Sequence, residues 1–258
     1  YSIYGRTLLL IGTKGQGLYV FDPMTDELIC ILPQPEKPET SLSSSIIHDI
    51  FVDSYRGIWI ATNKGVSYFH PGNQRFKTYF FYRHPVIPEN TTINAIQPVS
   101  GRQYLIGTAS HGLFLYDLSN GKGRAFPLKA TISSICKKTE NSYLIGTEKG
   151  IFLLQLPSGN LQSWSDIRTS VLTLRTLPGN RIGAGTSTGG YLLDDHTGKI
   201  LFQESLRPGY SDSYRFTKDL LIDRQNRLWL LRFFDGIDCI DLKTGTYIHL
   251  APHLNGTP

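Results

Sequence analysis

Short apolar runs punctuated by polar turns cover the whole chain, and no segment sustains the 3.6-residue stripe of an amphipathic helix. Residues 46–79, IIHDIFVDSYRGIWIATNKGVSYFHPGNQRFKTY, show the pattern in full. The run 46–52 is apolar and β-branched and predicts a strand, and 53–57 is a turn cluster ending in Gly57. A second strand is predicted at 58–62 and a third at 66–69; Asn63, Lys64 and Gly65 between them tolerate the positive φ of a tight hairpin. A turn at 70–74 leads to a fourth strand at 75–79.

The second hairpin supplies an anchor: Gly/Ala-Thr, a Gly-containing turn, then an apolar strand. It occurs as IGTKGQGLYVFD, IATNKGVSYFH, IGTASHGLFLYD, IGTEKGIFLL, AGTSTGGYLLD and, most altered, LLRFFDGIDCID. The anchor threonines are Thr13, Thr62, Thr108, Thr147 and Thr186, with Arg232 in the sixth slot, so the steps are 49, 46, 39, 39 and 46 residues. That is the period of a propeller blade. The preceding strand keeps register as well: Ile50, Ile96, Ile135, Leu174 and Leu220 each stand 12 residues before their anchor. Three residues before each of these comes Ile47, Ile93, Ile132, Val171 or Thr217. Applied to the first copy, the same offset lands on Tyr1, which predicts a first blade lacking most of its inner strand and a start cut within a longer protein.

The expected fold is therefore all-β, a β-propeller of four-stranded antiparallel blades at 1–32, 46–80, 92–127, 131–164, 169–203 and 216–250. These six copies form one propeller segment over 1–258, closing as six blades or as part of a seven-bladed ring. Trp59 and Trp229 are expected to be buried between blades, with Leu10, Leu105 and Leu144 in the equivalent places.

Composition narrows the function classes. No run of 18 apolar residues could cross a membrane as a helix. The net charge of +5 is spread thinly, with Lys137–Lys138 the only adjacent basic pair, which argues against a nucleic-acid surface and allows a mild preference for anionic ligands. Cys30, Cys136 and Cys239 are odd in number and lack CxxC spacing, so three separate buried thiols are expected rather than a disulfide framework or a zinc site.

The unit D-x-x-G-x-[IL]-W-[IL]-G-T-x-x-G-[LV]-x-x-[YF]-D resembles the two-component regulator propeller repeat, found in the extracytoplasmic sensor halves of bacterial hybrid histidine kinases. The likeness is strongest over 53–69 and 223–241, good in the first, third and fourth blades, and weakest in the fifth. Its tryptophan is present as Trp59 and Trp229 but is Leu10, Leu105, Leu144 and Gly183 elsewhere, and the sixth blade replaces Gly-Thr with Leu231 and Arg232. The resemblance implies the periplasmic sensor part of an inner-membrane protein. Its only membrane attachment would be a helix outside this segment, its kinase would lie elsewhere in the protein, and a homodimer is among the expected partners.

Catalytic signals are weak. The G-x-S-x-G match at 185–189 is the fifth hairpin anchor, with no helix after it, whereas a nucleophile elbow needs a strand-to-helix turn. His48 and Asp49 are strand neighbours and point to opposite faces. A propeller lyase of the streptogramin-lyase type is the alternative enzyme, but it needs a repeated His and converging acids near the channel. The first-strand positions Asp49, Ala95, Ser134, Thr173 and Asp219 supply only two carboxylates. A non-catalytic protein-docking propeller is the third reading. No cofactor and no metal site is expected.

Topology also predicts a face. In an up-and-down blade, the link to the next blade leaves at the same end as the hairpin joining the second and third strands. The candidate ligand residues on this shared face are Tyr82, Arg83, His84, His111, Trp164, Arg168, Tyr210, Tyr214, Arg215, Arg232 and Asp235. Aromatic rings ringed by cations and amides suit an oligosaccharide, and the cations favour uronate or sulfate groups. Arg232 is the sharpest of these expectations, because it breaks the Thr repeat and is followed by Phe233, Phe234 and Asp235, so its hairpin should project a bulky charged group into that face.

Overall fold

Every regular element among the described residues is a strand. The computed structural model describes residues 2–3, 6–37, 41–53, 55–70, 75–79, 86–88, 91–204, 216–233 and 236–250. The chain divides into two compact units, 1–132 and 133–258. In the first, β1 (Ser2–Ile3) and β2 (Arg6–Thr7) form a short ladder, and β3 (Leu9–Gly12), β4 (Leu18–Asp22) and β5 (Glu27–Ile31) form a three-stranded blade 1. Blade 2 is β6 (Ile47–Val52), β7 (Ile58–Thr62), β8 (Gly65–His70) and β9 (Arg75–Tyr79); blade 3 is β10 (Ile93–Ser100), β11 (Gln103–Thr108), β12 (Leu113–Asp117) and β13 (Gly123–Ala125).

The second unit repeats the plan. Blade 4 is β14 (Ile132–Thr139), β15 (Ser142–Thr147), β16 (Gly150–Gln155) and β17 (Asn160–Ser163). Blade 5 is β18 (Val171–Leu177), β19 (Arg181–Thr186), β20 (Gly189–Asp194) and β21 (Ile200–Gln203). Blade 6 is β22 (Thr217–Ile222), β23 (Arg227–Arg232), β24 (Ile237–Asp241) and β25 (Tyr247–Leu250). The fold is a β-propeller of six blade sheets, the first of them short of its inner strand.

Each turn has its own chemical lock. At the first turn of blade 2, Asp53 Oδ1 accepts from the Tyr55 and Gly57 amides (2.9 and 2.7 Å) while Oδ2 accepts from Trp59 Nε1 (2.9 Å). Asp223 does the same in blade 6 for Gln225, Arg227 and Trp229. Blades without the Trp have no Asp six residues before that slot, since Val99, Lys138 and Leu177 stand there in blades 3, 4 and 5. At the second turn the anchor threonine is a staple: Thr147 Oγ1 donates to Gly150 O and accepts from Lys149 N, both at 3.0 Å. Thr13, Thr62, Thr108 and Thr186 repeat this. At the third turn, Asp117, Asp194 and Asp241 accept backbone amides and lead to a left-handed glycine, at φ 69–72°. The Ser119 and Thr197 hydroxyls, with their backbone amides, hold the Asp117 and Asp194 carboxyls below the usual carboxylate range, and the Thr244 amide does so for Asp241.

The repeated three-residue spacing of the first strand now has a cause. A spacing of three puts two side chains on opposite faces of a regular strand. In β6, β10, β18 and β22 the ladder shifts register immediately after the first of the pair, at 47/49, 93/95, 171/173 and 217/219. This bulge re-aims the chain so that both members turn inward, as with Ile93 and Ile96 at 0 and 4% exposure. The glycine before Thr13, Thr108 and Thr147 is explained by the same residues. A Cβ on Gly107 would lie 2.5 Å from Ile132 Cγ2, one on Gly12 would lie 2.5 Å from Ile47 Cγ2, and one on Gly146 would lie 2.9 Å from Val171 Cγ1. Each of these glycines makes room for the first strand of the following blade.

Packing in the first unit centres on Trp59, which is buried with its ring 4.4 Å from Tyr68 and 4.5 Å from Tyr104 of blade 3. Leu105 and Leu144 are buried as expected, whereas Leu10 is half-buried. Trp229 departs from expectation: it is only partly covered, with the Arg227 guanidinium 5.3 Å from its ring centre. Gly183 takes the Trp slot of blade 5 because Leu220 fills the volume, with its Cδ1 2.1 Å from where a Cβ would be. Cys136 and Cys239 are buried and burial pushes both thiols up, but Cys30, expected to be buried, is exposed on the outer strand β5.

Candidate functional site

Hairpins and links do come together at one end of the blades within each unit. In the first, the Gly15 and Gly17 amides donate to Ser45 O (3.1 and 2.9 Å), Ala109 N donates to Thr92 O (3.0 Å), and Thr131 Oγ1 donates to Ala109 O (2.8 Å). In the second, Ser187 N donates to Ser170 O and Phe233 N to Phe216 O, each at 2.9 Å. Short polar residues clasp link to hairpin, so the two loop sets form one surface with a hydrogen-bonded backbone.

Of the residues expected there, Tyr82, Arg83, His84, Tyr210, Tyr214, Arg215 and Asp235 lie outside the described residues. His111 is exposed on the blade 3 hairpin; its amide donates to Thr108 Oγ1 (3.0 Å) and its Nδ1 lies 2.9 Å from Ser110 Oγ and 3.3 Å from Thr91 Oγ1. Those contacts orient the ring and leave its edge to solvent. Arg168 is exposed on the link after blade 4, where Nη1 donates to Ser165 O (2.6 Å) and Ser163 Oγ (3.3 Å). Its Nη2 also lies 3.9 Å from Asp166 Oδ1, and with 63% of its side chain accessible the guanidinium is held in place at the surface.

Trp164 has a packing role instead. Its ring is half-buried against the blade 4–5 core, with Lys138 Nζ 5.8 Å from the ring centre and the turn at Gly198 pressed against it. Lys138 is in turn paired with Asp195 Oδ1 at 2.6 Å, so this cluster ties blade 4 to blade 5.

Arg232 contradicts the expectation most sharply: it is 6% exposed and points into the blades. Strand alternation explains why, since Arg232 shares a face with Leu228 and Leu230, both fully buried, and Thr62, Thr108, Thr147 and Thr186 in its slot are buried too. Its Nε donates to Asp238 Oδ2 (2.5 Å), Nη1 donates to Glu204 Oε2 (3.0 Å) and Thr217 Oγ1 (2.6 Å), and Nη2 pairs with Glu204 Oε1. Glu204 Oε2 also accepts the Gly190 amide (3.0 Å), and Asp238 Oδ1 lies 2.7 Å from His249 Nδ1. Burial opposes the Arg232 charge, but the hydrogen bonds and negative charges of Glu204 and Asp238 outweigh it and hold the guanidinium above its ordinary range. Sequence reasoning missed Glu204 and Asp238. Their signal was a pair of acidic residues at inward-facing places near the one anchor that had become cationic.

It also missed a cavity of about 730 Å³ on blade 6, lined by Trp229, Arg227, Asp223, Leu231 and Ile237 and bounded by the Arg175–Asp219 ion pair. Burial pushes the Asp223 carboxyl up, but hydrogen bonds from the Trp229 indole and the Arg227 backbone and guanidinium, with the Arg227 charge, bring it down to about 2. Among the described residues no three His, Cys, Asp or Glu side chains come together as a metal site would require.

Bulged first strands, threonine-stapled hairpins and loops clasped at one end of the blades within each unit define a repeat β-propeller. Residues 41–64 match the two component regulator propeller family, so this stretch is one such repeat and the resemblance read from the residues is found independently. A solved structure of the extracellular domain of the putative hybrid two component system BT3049 from B. thetaiotaomicron matches with a TM-score of 0.79 at 21% identity, over 92% of this chain and 32% of that one. The extracellular domain of the putative one component system BT4673 from the same organism matches at 0.56 and 16% identity, over 94% and 39%. The computationally designed Ika8 protein matches at 0.61 and 13% identity, over 94% and 70%. At these identities the likeness is one of fold, and the chain spans about a third of the length of the two B. thetaiotaomicron domains. No curated protein matches the chain.

Proposed function

We propose that this chain is an extracytoplasmic, ligand-sensing propeller segment of a hybrid two-component system, without catalysis of its own, and that it reports an oligosaccharide to a kinase elsewhere in the protein. The regulator propeller repeat at 41–64 and the likeness to the extracellular domain of BT3049 support the sensor class. The observation that carries the ligand reading is the clasped loop surface of the second unit, on which Arg168 stands exposed and is oriented by Ser165 and Ser163. A fixed guanidinium loses little freedom on meeting a uronate or sulfate group, which favours an acidic glycan over a neutral one. Signalling follows from a change in blade or subunit geometry when the loop surface closes on its ligand.

The test is calorimetric titration of neutral and acidic oligosaccharides into the wild-type chain, Arg168→Ala, and the control Lys243→Ala, whose lysine is exposed on the third turn of blade 6. Loss of one charge-assisted contact weakens acidic-glycan binding by about 10- to 100-fold in Arg168→Ala, while Lys243→Ala binds as wild type. Equal affinity in all three proteins removes Arg168 from the site. Absence of binding across the panel removes the glycan reading.

A further inference from the structure

In four of the blades the second residue after the hairpin glycine is aromatic: Tyr19, Phe114, Phe152 and Tyr191. Blade 6 has Asp238 there. The residue facing that slot on the outer strand is Ala125, Ser163 or Gln203 in blades 3, 4 and 5, and His249 in blade 6. In the same blade the anchor threonine has become Arg232, and the Ile/Val slot of the first strand has become Thr217. Four departures from the repeat thus fall in one blade, and the fold brings all four side chains together.

Charge sets what this cluster can do. Two carboxylates share the Arg232 guanidinium, Glu204 through both oxygens and Asp238 through Oδ2, with side chains 7 and 4% exposed. The other oxygen of Asp238, Oδ1, lies 2.7 Å from Nδ1 of His249, whose side chain is 18% exposed on the outer strand β25. Asp238 therefore stands between a permanent cation and a ring whose charge depends on pH. The charged groups packed around that ring in the cluster are Asp238 on the neighbouring strand β24, Arg232 on β23 beyond it, and Glu204 on the link after β21.

We propose that His249 is a proton-operated latch: on gaining a proton it gives Asp238 a second cation and tightens the hold of strand β25 on blade 6. A neutral ring shares one hydrogen bond with Asp238, whereas the imidazolium adds the attraction of two carboxylates, less the repulsion of Arg232. Asp238 touches the ring and the guanidinium lies behind it, so attraction wins and the latch is tighter at pH 6 than at pH 8. The link at Glu204 is held with it, through Arg232. Blade 6 thereby responds to acidification over the range in which imidazoles titrate.

His249→Asn tests this, because the amide takes the place of Nδ1 and donates to Asp238 but carries no charge at any pH. Urea unfolding of the wild-type chain and the variant is followed by far-ultraviolet circular dichroism at pH 8, 7 and 6, above the ordinary carboxylate range. The folded-to-unfolded ratio of the wild type, relative to that of the variant, rises about 5- to 30-fold from pH 8 to pH 6. The other histidines are present in both proteins and drop out of the comparison. A relative ratio that stays constant with pH leaves a plain hydrogen bond and overturns the proposal, as does one that falls. If the variant does not fold, amide hydrogen exchange of the wild type decides. Protection of the β25 amides relative to those of β17 rises between pH 8 and pH 6, and unchanged relative protection overturns the proposal.

Discussion

Removing the Arg232 guanidinium should be among the most damaging single changes to the second unit, and the structure says how damaging. Its side chain is 3% exposed, and those of Glu204 and Asp238 are 7 and 4%. Arg232→Ala removes the guanidinium that lies between two buried carboxylates, leaving His249 beside Asp238, and breaking a buried pair from one side costs about 3–5 kcal/mol. Removing all three charges together, as Arg232→Leu/Glu204→Leu/Asp238→Leu, is less harmful because neither carboxylate remains to be compensated. It is not neutral, because the Gly190 amide and His249 lose their acceptors. An unsatisfied buried donor of that kind costs about 1–3 kcal/mol, so the triple variant should lie between wild type and the single variant. Urea unfolding followed by far-ultraviolet circular dichroism measures both, with the midpoint falling further in Arg232→Ala than in the triple variant. A loss under about 1 kcal/mol in Arg232→Ala, or a triple variant less stable than the single one, would refute the view that the network holds blade 6 through charge compensation.

The two repeat tryptophans should separate: Trp59→Ala costs about 3–5 kcal/mol because both sides of its ring are packed, whereas Trp229→Ala costs about 1–2 kcal/mol because one side is open, and denaturant titration of the two variants checks the ranking. Gly107→Ala places a methyl group 2.5 Å from Ile132 Cγ2 and should cost about 1–3 kcal/mol; adding Ile132→Ala should give a total below the sum of the two single losses. The Asp223 carboxyl, held at about 2 in the folded chain, stabilises the fold above its unfolded value of ~3.9, and that contribution disappears as pH falls through about 2. Asp223→Asn should therefore be less stable than wild type at neutral pH, with the difference closing between about pH 5 and 2 in acid titrations of stability.

Much of the fold was legible because its determinants are local and recur. The anchor threonine staples its own hairpin, the aspartate after the third strand caps its own turn, and each acts within four residues of itself. Repetition then separated signal from coincidence, since the Ile/Val/Thr-x-x-Ile/Leu spacing recurs at one offset from every anchor that has a first strand. The cause of that spacing was not legible, because a three-residue interval is inward-facing only once a bulge is present, and the bulge is visible only in the ladder.

What the chain by itself determined is the blade: its strands, turns, period, and the single end at which hairpins and links gather. What only the tertiary structure decided is which face of each blade is covered and what a departure from the repeat is for. Trp59 and Trp229 occupy the same slot with the same aspartate bond, yet one is buried between Tyr68 and Tyr104 and the other is partly open, because burial depends on what packs against the ring and not on the residue. Arg232 looked like a group aimed at a ligand because its neighbours in sequence are bulky and polar. Its true partners, Glu204 and Asp238, lie 28 residues before it and six after it, on two other strands or links, and a charge is drawn inward only when such partners converge in space.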